Sequence, residues 1–79
     1  MNDLLLNIDR IHTTELGIKR IQRNLNINDD VVNYCKNKII DKECHIYKQG
    51  KNWYCKIDNM IITINSSSYT IITAHINKI

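Results

Sequence analysis

Residues 44–64 read Cys44-His45-Ile46-Tyr47-Lys48-Gln49-Gly50-Lys51-Asn52-Trp53-Tyr54-Cys55-Lys56-Ile57-Asp58-Asn59-Met60-Ile61-Ile62-Thr63-Ile64. Three runs rich in β-branched and aromatic residues are separated by two short polar turns, Gln49 to Asn52 and Asp58-Asn59, which is the pattern of consecutive hairpins. A polar loop, Asn65 to Ser68, then leads to a fourth run, Tyr69 to Ile76. Loops this short join neighbours antiparallel, so the reading is a four-stranded meander.

Working back from Asp41, the period changes from two to that of a helix. Ile18, Ile21 and Leu25 recur at i, i+3 and i+7, and Val32, Cys35 and Ile39 repeat that spacing. Thr13 or Thr14 caps the first of these helices and Asn28, Asp29 or Asp30 the second, because their side-chain oxygens accept free N–H groups. Residues 2–10 form a further turn or two. The fold class is therefore α+β: two to three N-terminal helices on one face of a C-terminal four-stranded antiparallel sheet, in a single domain of residues 1–79.

The chain has 79 residues, enough for one small domain with a thin core that self-association would help. It has no apolar run long enough to span a bilayer, no signal-peptide pattern, and too few glycines for a phosphate loop. The expectation is a cytoplasmic protein with no membrane partner. Three cysteines without a secretory signal read as reduced thiols. Cys35, Cys44, His45 and Cys55 lack the close spacing of a structural metal site, so no metal and no cofactor is expected. Abundant isoleucine, asparagine and lysine suggest AT-rich bacterial or phage coding.

The net charge is +3, and its excess lies in the strand half, where Lys42, Lys48, Lys51, Lys56 and Lys78 face only Glu43 and Asp58. Aromatics among those lysines suit nucleic acid, by stacking bases and neutralising phosphates. On β alternation Trp53, Cys55 and Ile57 point to the core, while Tyr54, Lys56 and Asp58 point away. In the last strand Tyr69, Ile71, Thr73 and His75 share one face, and Thr70, Ile72, Ala74 and Ile76 share the other. With helices over Ile72 and Ala74, Tyr69, Thr73 and His75 line an open face.

His12, at the start of a helix, is a second proton carrier, and Arg20 and Arg23 share a helix face as guanidinium forks. These residues suggest acid–base cleavage of a phosphodiester. His12 and His75 would share the acid and base roles, Arg20 or Arg23 with Lys56 would stabilise charge on phosphate, and Thr73 and Tyr69 would orient it. Lys51 and Tyr54 complete the nucleic-acid contacts. The plainer alternatives are a surface histidine at position 75, a capping segment around His12, and arginines paired to Glu15 or Asp30.

Three segments, His12-Thr13-Thr14-Glu15-Leu16-Gly17 with Arg20-Ile21 and Asn24-Leu25, Gly50-Lys51-Asn52-Trp53-Tyr54, and Tyr69-Thr70-Ile71-Ile72-Thr73-Ala74-His75, resemble a family of short bacterial proteins, domain of unknown function 3781. That resemblance covers nearly the whole chain and brings no activity. In architecture the chain is more distantly similar to the small metal-independent ribonuclease toxins of the barnase, colicin and RelE type. This likeness implies RNA on the open sheet face, with His, Arg, Lys, Tyr and Thr doing acid–base work. The modest positive charge departs from that group. The sequence thus reads as a small RNA-binding protein, with metal-independent endoribonuclease chemistry as its strongest form. In the toxin reading an antitoxin would be its protein partner. The alternative is a non-catalytic interaction protein: a homodimer through an exposed strand edge, or a phage or mobile-element inhibitor of a host defence complex of the CRISPR type. A small nucleotide-binding module is a further alternative.

Overall fold

A computed structural model describes residues 3–76, so Asn2 of the first segment and Lys78 of the basic set lie outside the described residues. Helix α1 (Asp3–Leu6) and a turn of 3-10 helix (Ile8–Arg10) precede α2 (Glu15–Leu25) and α3 (Val31–Ile39). Strands β1 (His45–Gln49), β2 (Asn52–Ile57), β3 (Met60–Asn65) and β4 (Ile71–Ile76) follow in a sheet of order β1-β2-β3-β4, each neighbouring pair antiparallel. The α+β meander is therefore the observed architecture.

Local chemistry accounts for the boundaries. Thr14 caps α2 by accepting from the Gly17 N–H at 3.0 Å, and Asp30 caps α3 by accepting from the Asn33 N–H at 3.2 Å. Asn26 ends α2 in the left-handed region (φ 55°), where asparagine is tolerated. Gly50 (φ 63°) turns β1 into β2, and Asp58 and Asn59, both with positive φ, turn β2 into β3. These are the residue types that two-residue hairpin turns require.

The helices cover one face of the sheet. α2 lies along β4 and α3 over β2. Ile21, Leu25, Val31, Cys35 and Ile39 meet Cys55, Ile57, Met60, Ile62, Ile64, Ile71 and Ala74 in one apolar cluster, which Leu4 and Ile11 extend. In α3 the buried positions are Val31, Cys35 and Ile39, and Val32 is only half-buried, so the buried stripe starts one residue earlier than expected. Trp53 points to the helix side as expected but is half-buried, with the Lys48 ammonium 6.0 Å from its ring centre.

The last strand departs from the expected alternation. Thr63 pairs with Thr73 but Ile64 pairs with Ile71, so Ile72 is an extra residue in a β-bulge. The bulge reverses the parity of everything before it. Ile71 is consequently buried in the core, not on the face of Thr73 and His75. Tyr69 precedes the strand, adopts φ 59° and is buried beneath the Arg10 guanidinium, which lies 4.6 Å from its ring centre.

The free edge of β4 is covered. The Ile71 N–H donates to the His12 carbonyl (2.7 Å), the Thr13 hydroxyl donates to the Ile71 carbonyl (3.0 Å), and the Asn24 amide donates to the Ala74 carbonyl (3.3 Å). Gly17 is part of this clasp: a Cβ there would overlap Thr13 Oγ1, which its bond to Ile71 holds in place. Ala for Gly inside a helix ordinarily stabilises by about 1 kcal/mol. Here Gly17→Ala is expected to lose about 1–3 kcal/mol, the usual cost of overpacking, in urea unfolding followed by Trp53 fluorescence. A neutral or stabilised variant would show that Thr13 can leave Ile71 at no cost.

Candidate nucleic-acid interface on the open sheet face

The strand register lays out the face that no helix among the described residues covers. One cross-strand row is His45, Lys56, Ile61 and His75; the next is Tyr47, Tyr54, Thr63 and Thr73. Opposite residues in an antiparallel pair share a face, so these eight side chains form one surface. Tyr47 and Tyr54 stack with ring centres 5.4 Å apart and planes at 21°, and His45 leans on Tyr47 at 5.6 Å. Both tyrosines are half-buried, while His45, Lys56 and His75 are exposed. Thr63 is buried at the middle of the surface, and among the described residues no buried side-chain polar atom lacks a partner. A depression of about 300 Å³ beside Lys56 is lined also by Ile57, Asn59 and Met60 at the β2–β3 turn.

Of the residues the sequence singled out, Tyr54, Lys56, Thr73 and His75 are brought together here. Tyr69 is not, because the bulge and its own left-handed backbone turn it into the core. Arg20 and Arg23 are exposed on α2, whose buried side packs on the other face of the sheet, so neither joins Lys56. The ion pair found among the described residues is Lys38–Asp58 (2.7 Å), so pairing of the arginines to Glu15 or Asp30 is not observed there. Lys51 sits in the β1–β2 turn, at the rim of the open face. His45 and Tyr47 were missed. Alternation through the Gln49–Asn52 turn would have placed both beside Lys56 and Tyr54.

His12 lies elsewhere and has a structural task. Its Nδ1 is 2.9 Å from the Arg10 carbonyl, which can only accept, so Nδ1 carries the proton. In the neutral ring Nε2 then accepts from the Thr70 hydroxyl at 3.1 Å, and Thr70 meets the Ser68 hydroxyl at 2.8 Å. His12 forms a parallel bridge to Thr70 before β4 begins, whereas His75 is next to the end of that strand. Five residues of extended chain separate the two positions by roughly 16 Å. They do not meet on one phosphate.

The thiols are core groups. Cys35 and Cys55 are buried and Cys44 is half-buried. Burial pushes the Cys35 thiol up to about 12 and raises Cys55 and Cys44 as well, which keeps them protonated at neutral pH. No group of three or more His, Cys, Asp or Glu among the described residues could hold a metal ion, and no helix there is long and apolar enough to cross a membrane.

The fold and this surface define a small α+β protein whose sheet is covered by helices on one side and carries an aromatic, basic surface on the other. Residues 5–75 match the model of a family described as a protein of unknown function, DUF3781, and the chain belongs to that family. Neither a curated protein nor a solved structure matches the chain.

Proposed function

We propose that this protein binds single-stranded RNA on the open face of its sheet. The observation that carries the reading is the stacked Tyr47–Tyr54 pair beside Lys56 and His45 on a surface that no helix among the described residues covers. Unpaired bases stack on such rings whatever their sequence, and a neighbouring ammonium neutralises phosphate. Thr73 continues the tyrosine row with a half-buried hydroxyl suited to ribose or phosphate oxygens. A duplex hides its base faces, so the surface favours single strands.

The reading is binding without cleavage. In-line attack and departure at one phosphate need an acid and a base that both reach it. His45 and His75 occupy the same row but are separated by three strand spacings, roughly 14 Å. Labelled RNA incubated with the protein in excess EDTA is expected to be recovered intact.

Fluorescence anisotropy with a labelled single-stranded oligoribonucleotide tests the reading directly. Affinity is expected to fall as salt rises, and Lys56→Ala to reduce the salt slope by about one. The matching duplex should bind more weakly, with single-stranded DNA of the same sequence as a third arm. No binding at low salt, or equal binding of duplex and single strand, would overturn the reading.

A further inference from the structure

The two edges of the sheet are treated differently. The edge at β4 is occupied by His12, Thr13 and Asn24 and interrupted by the bulge at Ile72. The edge at β1 has no such cover: among the described residues β1 pairs with β2 alone. An uncovered edge strand offers a row of N–H and C=O groups to another strand, and proteins ordinarily blunt it. Beside this edge Cys44, Ile46 and Trp53 are only half-buried on the helix side.

We propose that β1 pairs antiparallel with β1 of a second copy of this chain, joining the two sheets into one of eight strands. Its register follows from three constraints. A two-fold axis pairs each residue with its mirror position. Keeping the open faces on the same side requires odd-numbered residues of β1 to oppose odd-numbered ones. Using the whole of His45–Gln49 then centres the axis on Tyr47. Tyr47 meets its counterpart and prolongs the Tyr47–Tyr54 stack across the axis, His45 meets Gln49, and Ile46 meets Lys48. A register one pair further, centred on Lys48, would set two lysines directly opposite each other, which is destabilising.

Charge complementarity beyond the strand ends supports a second copy as the occupant. In the Tyr47-centred register Glu43, just before β1, falls at the hairpin tip of the other copy, where Lys51 is carried. Both residues are exposed, and neither makes an ion pair among the described residues. Symmetry makes two such pairs per dimer. The Lys48 ammonium, drawn back over Trp53, leaves the edge clear.

Sedimentation equilibrium without nucleic acid, between about 5 and 500 μM protein, tests this independently of the RNA reading. The expected result is a monomer–dimer equilibrium with Kd on the order of tens of micromolar, the weak end for a small interface. Glu43→Lys and Lys51→Glu should each weaken the dimer about tenfold by replacing two attractions with two repulsions. The double reversal should restore it. A monomer at every concentration, single reversals without effect, or a double reversal that stays monomeric would each overturn the proposal.

Discussion

Ile62→Ala is expected to remove about 4 kcal/mol of stability, roughly a third or more of what a chain this small has. Ile62 is fully buried on β3, one of the two inner strands, directly between Cys55 and Ala74 and facing the helices. Truncating isoleucine to alanine in a core costs about 2–5 kcal/mol, the larger values arising where the surroundings cannot collapse into the space. Collapse is hindered here. The neighbour on β4 is already an alanine, and the Asn24 amide ties α2 to the carbonyl of that same Ala74. A domain of this length has roughly 4–12 kcal/mol in total, so the loss takes much of it. Urea unfolding followed by Trp53 fluorescence measures the effect, with Ile72→Ala as the comparison. Ile72 is 43% exposed at the bulge and should cost under about 1 kcal/mol. Equal losses at the two positions would mean that the core is not organised around β3.

Much of this architecture was legible because it is written locally. The Gly50 and Asp58-Asn59 turns, the Thr14 and Asp30 caps and the change of hydrophobic period each depend on residues within a few positions of one another. Lys56 and Tyr54 fell on the open face for the same reason, since alternation within β2 is uninterrupted. Where the reading failed, the cause was one inserted residue or a contact far along the chain. Period-two reasoning carries no information about a bulge, so Ile72 silently moved Tyr69 and Ile71 to the wrong side. Nothing about a tyrosine announces a left-handed backbone, because that conformation is imposed on Tyr69 by its surroundings rather than preferred by it. His12 looked like a proton carrier at a helix start. Its pairing with Thr70, 58 residues away, makes it a clasp on a sheet edge, and no local pattern encodes that distance.

The double substitution Tyr47→Ala with Tyr54→Ala is expected to weaken single-stranded RNA binding about a hundredfold or more. Each base stacked on an aromatic ring contributes about 1–3 kcal/mol by alanine substitution, and the two rings here form one platform. The same change also removes a cross-strand aromatic pair, worth about 0.5–1.5 kcal/mol to the fold, so lost binding alone would be ambiguous. Tyr47→Phe with Tyr54→Phe resolves it. Phenylalanine keeps the ring faces and the cross-strand packing while removing both hydroxyls, so affinity should stay within about threefold of the parent. A loss in the phenylalanine variant as large as that in the alanine variant would assign recognition to the hydroxyls, against stacking. Lys48→Ala supplies the electrostatic comparison, because Lys48 lies against Trp53 on the helix side of the same hairpin. Removing it lowers the general positive potential without touching the platform, and should weaken binding by only a few fold. If Lys48→Ala cost as much as the double alanine variant, charge alone would draw the RNA to this hairpin. Retention of full affinity by the alanine variant would place the site away from the open face.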